Sequence, residues 1–137
     1  MNDNYRIPII KLYDSLIVSV QVSLSDRLVT QLKDDITHRI ELTGTHSLII
    51  DVSGVDIMDS YISRAIRDIG LIARLMGTQT VISGLDPMVA MTLVEMGMDL
   101  EGVRTALNLE SALELTGHRL VTESTTGSLW DAFSEDK

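Results

Sequence analysis

A chain of 137 residues with 20 acidic against 11 basic side chains, formal net charge -9, repels phosphate backbones and anionic membrane surfaces, which argues against nucleic acid or lipid as a partner. It has no cysteine, which excludes disulfides, thiolate catalysis and cysteine-bound zinc. Hydrophobic residues make up 45% but aromatics only 4%, so one domain of this length must build its core from Ile, Leu, Val, Met and Ala. The opening MNDNYRIP lacks the basic and apolar regions of a signal peptide, and no apolar run approaches the ~18 residues of a membrane span, so a soluble, cytoplasmic protein is expected.

Residues 7–13 (IPIIKLY) and 16–22 (LIVSVQV) are β-prone runs separated by Asp14 and Ser15, a break suited to an antiparallel hairpin. In the second run Leu16, Val18, Val20 and Val22 alternate with Ile17, Ser19 and Gln21, one buried face and one mixed face. Ser23 or Ser25 then caps a helix over 26–43, with Asp26 in its first turn and Gly44 where a left-handed cap is wanted. Its apolar stripe is Leu28, Leu32, Ile36 and Ile40, leaving Lys33, Asp34, Arg39 and Glu41 for water.

The apolar run 48–50 belongs to a third strand over 47–51 and ends at Asp51, after which Ser53 and Gly54 break the pattern. The chain surfaces through an acidic turn and hands Ser60 to a helix start. From Ile62 that helix places Ala65, Ile66, Ile69, Ile72, Ala73 and Met76 on one stripe before Gly77 stops it. Arg64, Arg67, Asp68 and Arg74 fall off the stripe and give the outer face a basic patch.

Residues 79–83 (QTVIS) read as a fourth strand. Asp86 caps a helix with Pro87 at its first position, and Val89, Ala90, Leu93 and Val94 face inward before Gly97. A short edge strand is expected around Val103 and Arg104, and Asn108 caps a last helix with Leu109, Ala112, Leu113 and Leu115 apolar, ending at Gly117. Residues 1–117 form the domain. Residues 118–137 lose periodicity and are expected to be a flexible tail, in which Leu129, Trp130 and Phe133 form either a docking peptide or a loosely tethered extension.

No phosphate-binding loop, dinucleotide fingerprint or G-x-S-x-G elbow is present. His38, His46 and His118 lack metal-ligand spacing, and a serine nucleophile near Ser60 finds only carboxylates beside it in sequence. Asp56 and Asp59 read as caps or solvated charges more readily than as an acid–base pair. On residue type alone Ser60 is a cap or first-turn residue. Its functional alternative is a phosphoacceptor, since a phosphate would add about 1.5 to 2 negative charges that the helix N-terminus favours and Asp56 and Asp59 oppose.

Three segments, IPIIKLYDSLIVSVQ, IIDVSGVDIMDSYISRAIRDIGLIARLMG and VISGLDPMVAMTLVEMGMDLEGVRTALNLESALE, resemble the STAS domain, named for sulfate transporters and anti-sigma-factor antagonists. Within it they look like the RsbS type of small stressosome scaffold. The resemblance implies an α/β fold, with a mixed β-sheet of about five strands and about four helices packed on one side. It implies no catalytic activity, no cofactor and no metal. It makes Ser60, in the pair Asp59-Ser60, the phosphoacceptor, with Asp56, Met58, Asp59, Tyr61, Ser63, Arg64 and Arg67 as the partner-binding surface. The implied partners are an RsbR-like STAS sensor protein, an RsbT-like serine kinase that phosphorylation releases, and further copies of the chain in a cage-like assembly. A stand-alone anti-sigma-factor antagonist binding its kinase one to one remains an alternative. So does a small ligand- or nucleotide-binding domain that uses the helix starts at Ser60 and Asp86.

Overall fold

The computed structural model describes residues 6–21, 24–55, 58, 60–97, 100 and 102–117. The tail from residue 118, with Trp130 and Phe133, and the acidic residues Asp56 and Asp59 lie outside them. Five strands, β1 (Ile9–Leu12), β2 (Ser15–Ser19), β3 (Ser47–Asp51), β4 (Gln79–Ser83) and β5 (Arg104–Ala106), stand side by side in chain order. β1 pairs antiparallel with β2, and every later pair is parallel. Four helices alternate with them: α1 (Asp26–Thr43), α2 (Ser60–Leu75), α3 (Pro87–Glu95) and α4 (Leu109–Leu115).

Local chemistry accounts for the boundaries. β1 starts after Pro8 rather than at residue 7, because proline has no N–H to give the ladder. Its hairpin turns on Tyr13, which sits at φ 55, a left-handed conformation suited to a two-residue connection. Ser25 caps α1 by accepting the Leu28 N–H at 3.2 Å. At the other end Gly44, at φ 63, donates its N–H to the Ile40 carbonyl at 2.8 Å. Asp86 accepts the Met88 N–H at 2.8 Å, with Pro87 opening α3 where its missing N–H costs nothing. Asn108 accepts from Ser111 N–H at 2.8 Å and so starts α4.

The central strands β2, β3 and β4 are covered on both faces, and the strand period of two sorts their side chains. Leu16, Val18, Leu48, Ile50 and Ile82 point to one face, where Leu32, Ile36 and Ile40 of α1, Ile66, Ile69 and Ala73 of α2, and Val89 and Leu93 of α3 close a large core. Ile49 and Val81 point the other way and meet Ala112 and Leu113 of α4. The mixed five-stranded sheet with four helices is as expected, but α4 corrects the expectation that all helices share one side. Right-handed crossovers put α1, α2 and α3 on a common face. α4 follows the last strand, joins no further strand, and covers the apolar side chains left on the reverse.

Smaller departures have the same origin. Val29, not Leu28, completes the buried stripe of α1. α2 begins at Ser60, two residues before Ile62. Val94 is 77% exposed, since a nine-residue helix turns only Val89 and Leu93 inward. Val103 precedes β5 rather than joining it and packs against α2 at Gly70, where an added Cβ would lie 2.6 Å from Val103 Cγ2. That close approach explains a glycine within a helix, which otherwise costs about 1 kcal/mol relative to alanine.

Among the described residues three buried polar atoms lack a partner, Ser15 Oγ, Gln31 Oε1 and Thr80 Oγ1, and of these Thr80 stands in line with the strand residues that face the large core. Thr80 stands in register with Leu48, itself in register with Leu16, and its buried Oγ1 has no hydrogen-bond partner among the described residues. A hydroxyl in apolar surroundings costs about 1–3 kcal/mol when unpaired. Thr80→Val is therefore expected to raise stability by about 1 kcal/mol, seen as a higher urea midpoint at unchanged slope; a lower midpoint would show that the hydroxyl has a partner in solution.

Candidate functional site

The parallel strands β2, β3 and β4 all end at the same edge of the sheet, where ligands and partners of open α/β sheets commonly meet the protein. At this edge the chain leaves β3 and builds toward Ser60. Val52 returns to the core at 2% exposure, its N–H donating to the Ser83 carbonyl at 2.9 Å. Ser53 and Gly54 form a turn closed by Val55 N–H on the Val52 carbonyl at 2.9 Å. Met58 then enters the main core at 3% exposure. Buried side chains thus hold the connection at both ends.

Ser60 is the first residue of α2 and is half-buried. Tyr61 and Arg64 are exposed, and Arg67 is half-buried. Residues 60, 64, 67 and 71 recur at four- and three-residue steps, so they line one stripe of the helix. That stripe continues into Leu71 and Leu75, both exposed. It is a hydroxyl followed by two cations and then an apolar end. Asp68 lies beside it and reaches Lys33 of α1 at 3.6 Å, an exposed pair that contributes little.

Two residues expected on the partner-binding surface are not there. Met58 is buried because it anchors the connection in the core, and Ser63 has no exposed surface because it falls on the sheet-facing side of α2. Ser60, Tyr61, Arg64 and Arg67 remain together on the outside.

The feature that sequence reading passed over is Asp51. The linear pattern marks it only as the end of an apolar run, yet its carboxylate accepts hydrogen bonds from Ser53 Oγ at 2.9 Å and from Ser83 Oγ at 3.0 Å. The spacing of Asp51 and Ser53 is a visible local signal for such a bond. The partnership with Ser83 appears only once β3 and β4 are placed in register, Asp51 beside Ser83.

A concavity lies at the opposite end of the sheet. It has a volume of about 260 Å³ and is lined by His46, Arg74, Gly77, Thr78, Gln79 and Gly102. The N–H groups of Gly77, Thr78 and Gln79 are spent on the carbonyls of Arg74, Ala73 and His46, so they offer no phosphate cradle. His46 is turned to Asp14, 2.7 Å from its Nδ1. Five-residue β3 separates this histidine from the Ser60 edge by about 16 Å, too far for it to serve as a base for the Ser60 hydroxyl. Among the described residues no group of three His, Asp or Glu could hold a metal ion, and no helix is long and apolar enough to cross a membrane.

Comparison with known proteins agrees with this geometry. The family model for the STAS domain matches residues 6–112. The structure is similar to that of a serine-to-glutamate variant of RsbS from Moorella thermoacetica, at 38% identity and TM-score 0.71, covering 81% of this chain and 94% of that one. It is similar at 39% identity and TM-score 0.70 to a chain from a structure of the stressosome, described as a signal integration and transduction hub, covering 79% and 94% of the two chains. In sequence it is 36% identical over 73 residues to the RsbT co-antagonist protein RsbRD of Bacillus subtilis. That match takes in 53% of this chain but spans only 26% of the longer relative.

At this edge Gly84 packs against the turn that leaves β3. It lies at φ 77, and an added Cβ would stand 2.8 Å from Ser53 Cβ and 3.0 Å from Asp51 Oδ1. Gly84→Ala is expected to lose about 2 kcal/mol, from a left-handed backbone that alanine resists and from the displaced Ser53. Chemical denaturation checks this, and a loss below about 0.5 kcal/mol, the range of a neutral surface change, would contradict the packing described.

Proposed function

This chain belongs to the STAS domain family, and we propose that within it the protein is a non-enzymatic stressosome scaffold that holds an RsbT-like serine kinase and releases it when Ser60 is phosphorylated. The observation that carries the reading is Ser60 itself, a half-buried hydroxyl at the first residue of α2, on a connection whose flanking side chains are fixed in the core. The likeness to RsbS, over nearly the whole of that chain, supports a scaffold. The matches to the stressosome chain and to an RsbT co-antagonist support co-assembly with an RsbR-like STAS sensor and with further copies of this chain.

The physics of the switch follows from charge. A phosphate on Ser60 brings about 1.5 to 2 negative charges to a surface that also holds Arg64 one helical turn away. The start of α2 and Arg64 favour that charge, while Asp56 and Asp59, close in sequence, oppose it. With Val52 and Met58 buried on either side of the turn, the added charge changes what a partner meets without requiring the core to move. Tyr61, Arg64 and Arg67 supply the rest of the kinase-facing surface, together with Asp56 and Asp59.

Incubation with an RsbT-like kinase and ATP is expected to phosphorylate Ser60, read by mass spectrometry of the intact chain and its peptides. Ser60→Ala abolishes labelling but keeps kinase capture, and Ser60→Asp weakens capture, incompletely because one carboxylate imitates phosphate poorly. Labelling of the alanine variant at the wild-type level would sink the assignment. Mixing with an RsbR-like partner gives a megadalton species on size exclusion for a scaffold; a persistent monomer or dimer would favour the stand-alone antagonist.

A further inference from the structure

At the edge that carries Ser60, two loops that are distant in sequence are fastened by one side chain. The Asp51 carboxylate, half-buried at the end of β3, accepts from Ser53 Oγ with one oxygen and from Ser83 Oγ with the other, at 2.9 and 3.0 Å. Ser53 is exposed and belongs to the turn that leads to Ser60, whereas Ser83 has no exposed surface and ends β4. The next residue, Gly84, lies against Ser53 and Asp51 too closely to carry a side chain. A main-chain bond joins the same two elements, Val52 N–H donating to Ser83 O, and another ties the end of β2 to β3, Val20 N–H donating to Asp51 O, both at 2.9 Å.

From this fastening the chain runs two ways. One branch passes Val55 and Met58 to Ser60 and the exposed start of α2. The other passes Leu85 to Asp86, which caps α3 and opens a helix with Met88 and Met91 exposed. A carboxylate is suited to the junction because it accepts two hydroxyls at once, and bonds to an ionised acceptor are roughly twice as strong as neutral ones. Losing it leaves the buried Ser83 hydroxyl without its partner.

We propose that Asp51 is a positioning residue that locks the Ser60 loop to the loop opening α3, so that a kinase reads the starts of α2 and α3 as one surface. The kinase part of this inference rests on the reading of Ser60 as the phosphoacceptor; the joining of the two loops does not.

Amide hydrogen exchange on the full chain tests the joining directly. The reporters are Val55 N–H, bonded to Val52 O, and Met88 N–H, bonded to the Asp86 carboxylate. Asp51→Ala is expected to speed exchange at both by about three- to tenfold, the loss of one or two net hydrogen bonds, while amides in the middle of β3 and β4 stay slow. Ser53→Ala, at an exposed position that leaves the core intact, is expected to reproduce the effect at Val55 and, more weakly, at Met88. Asp51→Asn keeps one acceptor and offers a donor to the second hydroxyl, so it is expected to restore most of the protection. In steady-state phosphorylation by an RsbT-like kinase, Asp51→Ala raises KM for this protein several-fold at unchanged kcat, with recovery in Asp51→Asn. Faster exchange confined to Val55, with Met88 unchanged in both alanine variants, would overturn the proposal. Loosening of both loops with an unaltered KM would overturn its kinase-facing part. Should the wild-type chain take no phosphate on Ser60, the Ser60 reading fails by itself, and the exchange measurements still decide whether Asp51 joins the loops.

Discussion

Leu48, Ile49 and Ile50 of β3 are each exposed by 1% or less, and much of the molecule follows from that constraint. Successive side chains of a strand point to opposite faces, so three consecutive aliphatic residues can be buried only if both faces of the sheet are covered. Parallel neighbours on either side supply the backbone partners, and their crossover helices supply one cover. Because every crossover has the same hand, that cover is one-sided. The short helix after the last strand supplies the other, with Ala112 and Leu113 on Ile49 and Val81.

The same strand sets the character of the site. Its buried run stops at Asp51, at the edge where the connections to α2 and α3 both begin. Toward α2, Val52 and Met58 are packed into the core and Asp51 is bonded to Ser53 and Ser83. Ser63 is likewise spent on the inside of α2. Among the described residues, Ser60, Tyr61 and the two arginines farther along the stripe are left at the surface. A rigid base with a few polar groups exposed suits a signal written in surface charge, which is the form the proposed phosphorylation takes. α3, which opens at the same end of the sheet, carries exposed Met88 and Met91, flexible apolar surface of a kind that adapts to a partner's shape.

The contrast between the two ends of the sheet also bears on what the chain does. Both have a concave or loop-rich surface, but at the His46 and Arg74 end the N–H groups of Gly77, Thr78 and Gln79 are already committed within the protein. A site for a small anion needs donors that are free to turn outward. The Ser60 end offers a half-buried serine and cations on a regular stripe instead, which fits recognition by a macromolecule better than enclosure of a small ligand.

How much of this was legible in the sequence depends on the range of the interaction concerned. The bounds of α1, β3 and β4, the caps at Ser25, Asp86 and Asn108, and the left-handed Gly44 were readable because each depends on a few neighbouring residues and on local periodicity. Ser60 was readable as a helix-start residue for the same reason, and its promotion to phosphoacceptor came from resemblance to a family. The burial of Met58 and Ser63, the use of Gly70 against Val103, and the second bond of Asp51 were not readable. Each depends on which residue of a distant element arrives alongside, and a linear pattern does not carry that information. Local chemistry by itself determined the elements and the presence of a hydroxyl at the head of α2. The tertiary structure decided which face each element buries and that one carboxylate ties two loops together, because strand order and register choose neighbours that chain order leaves far apart.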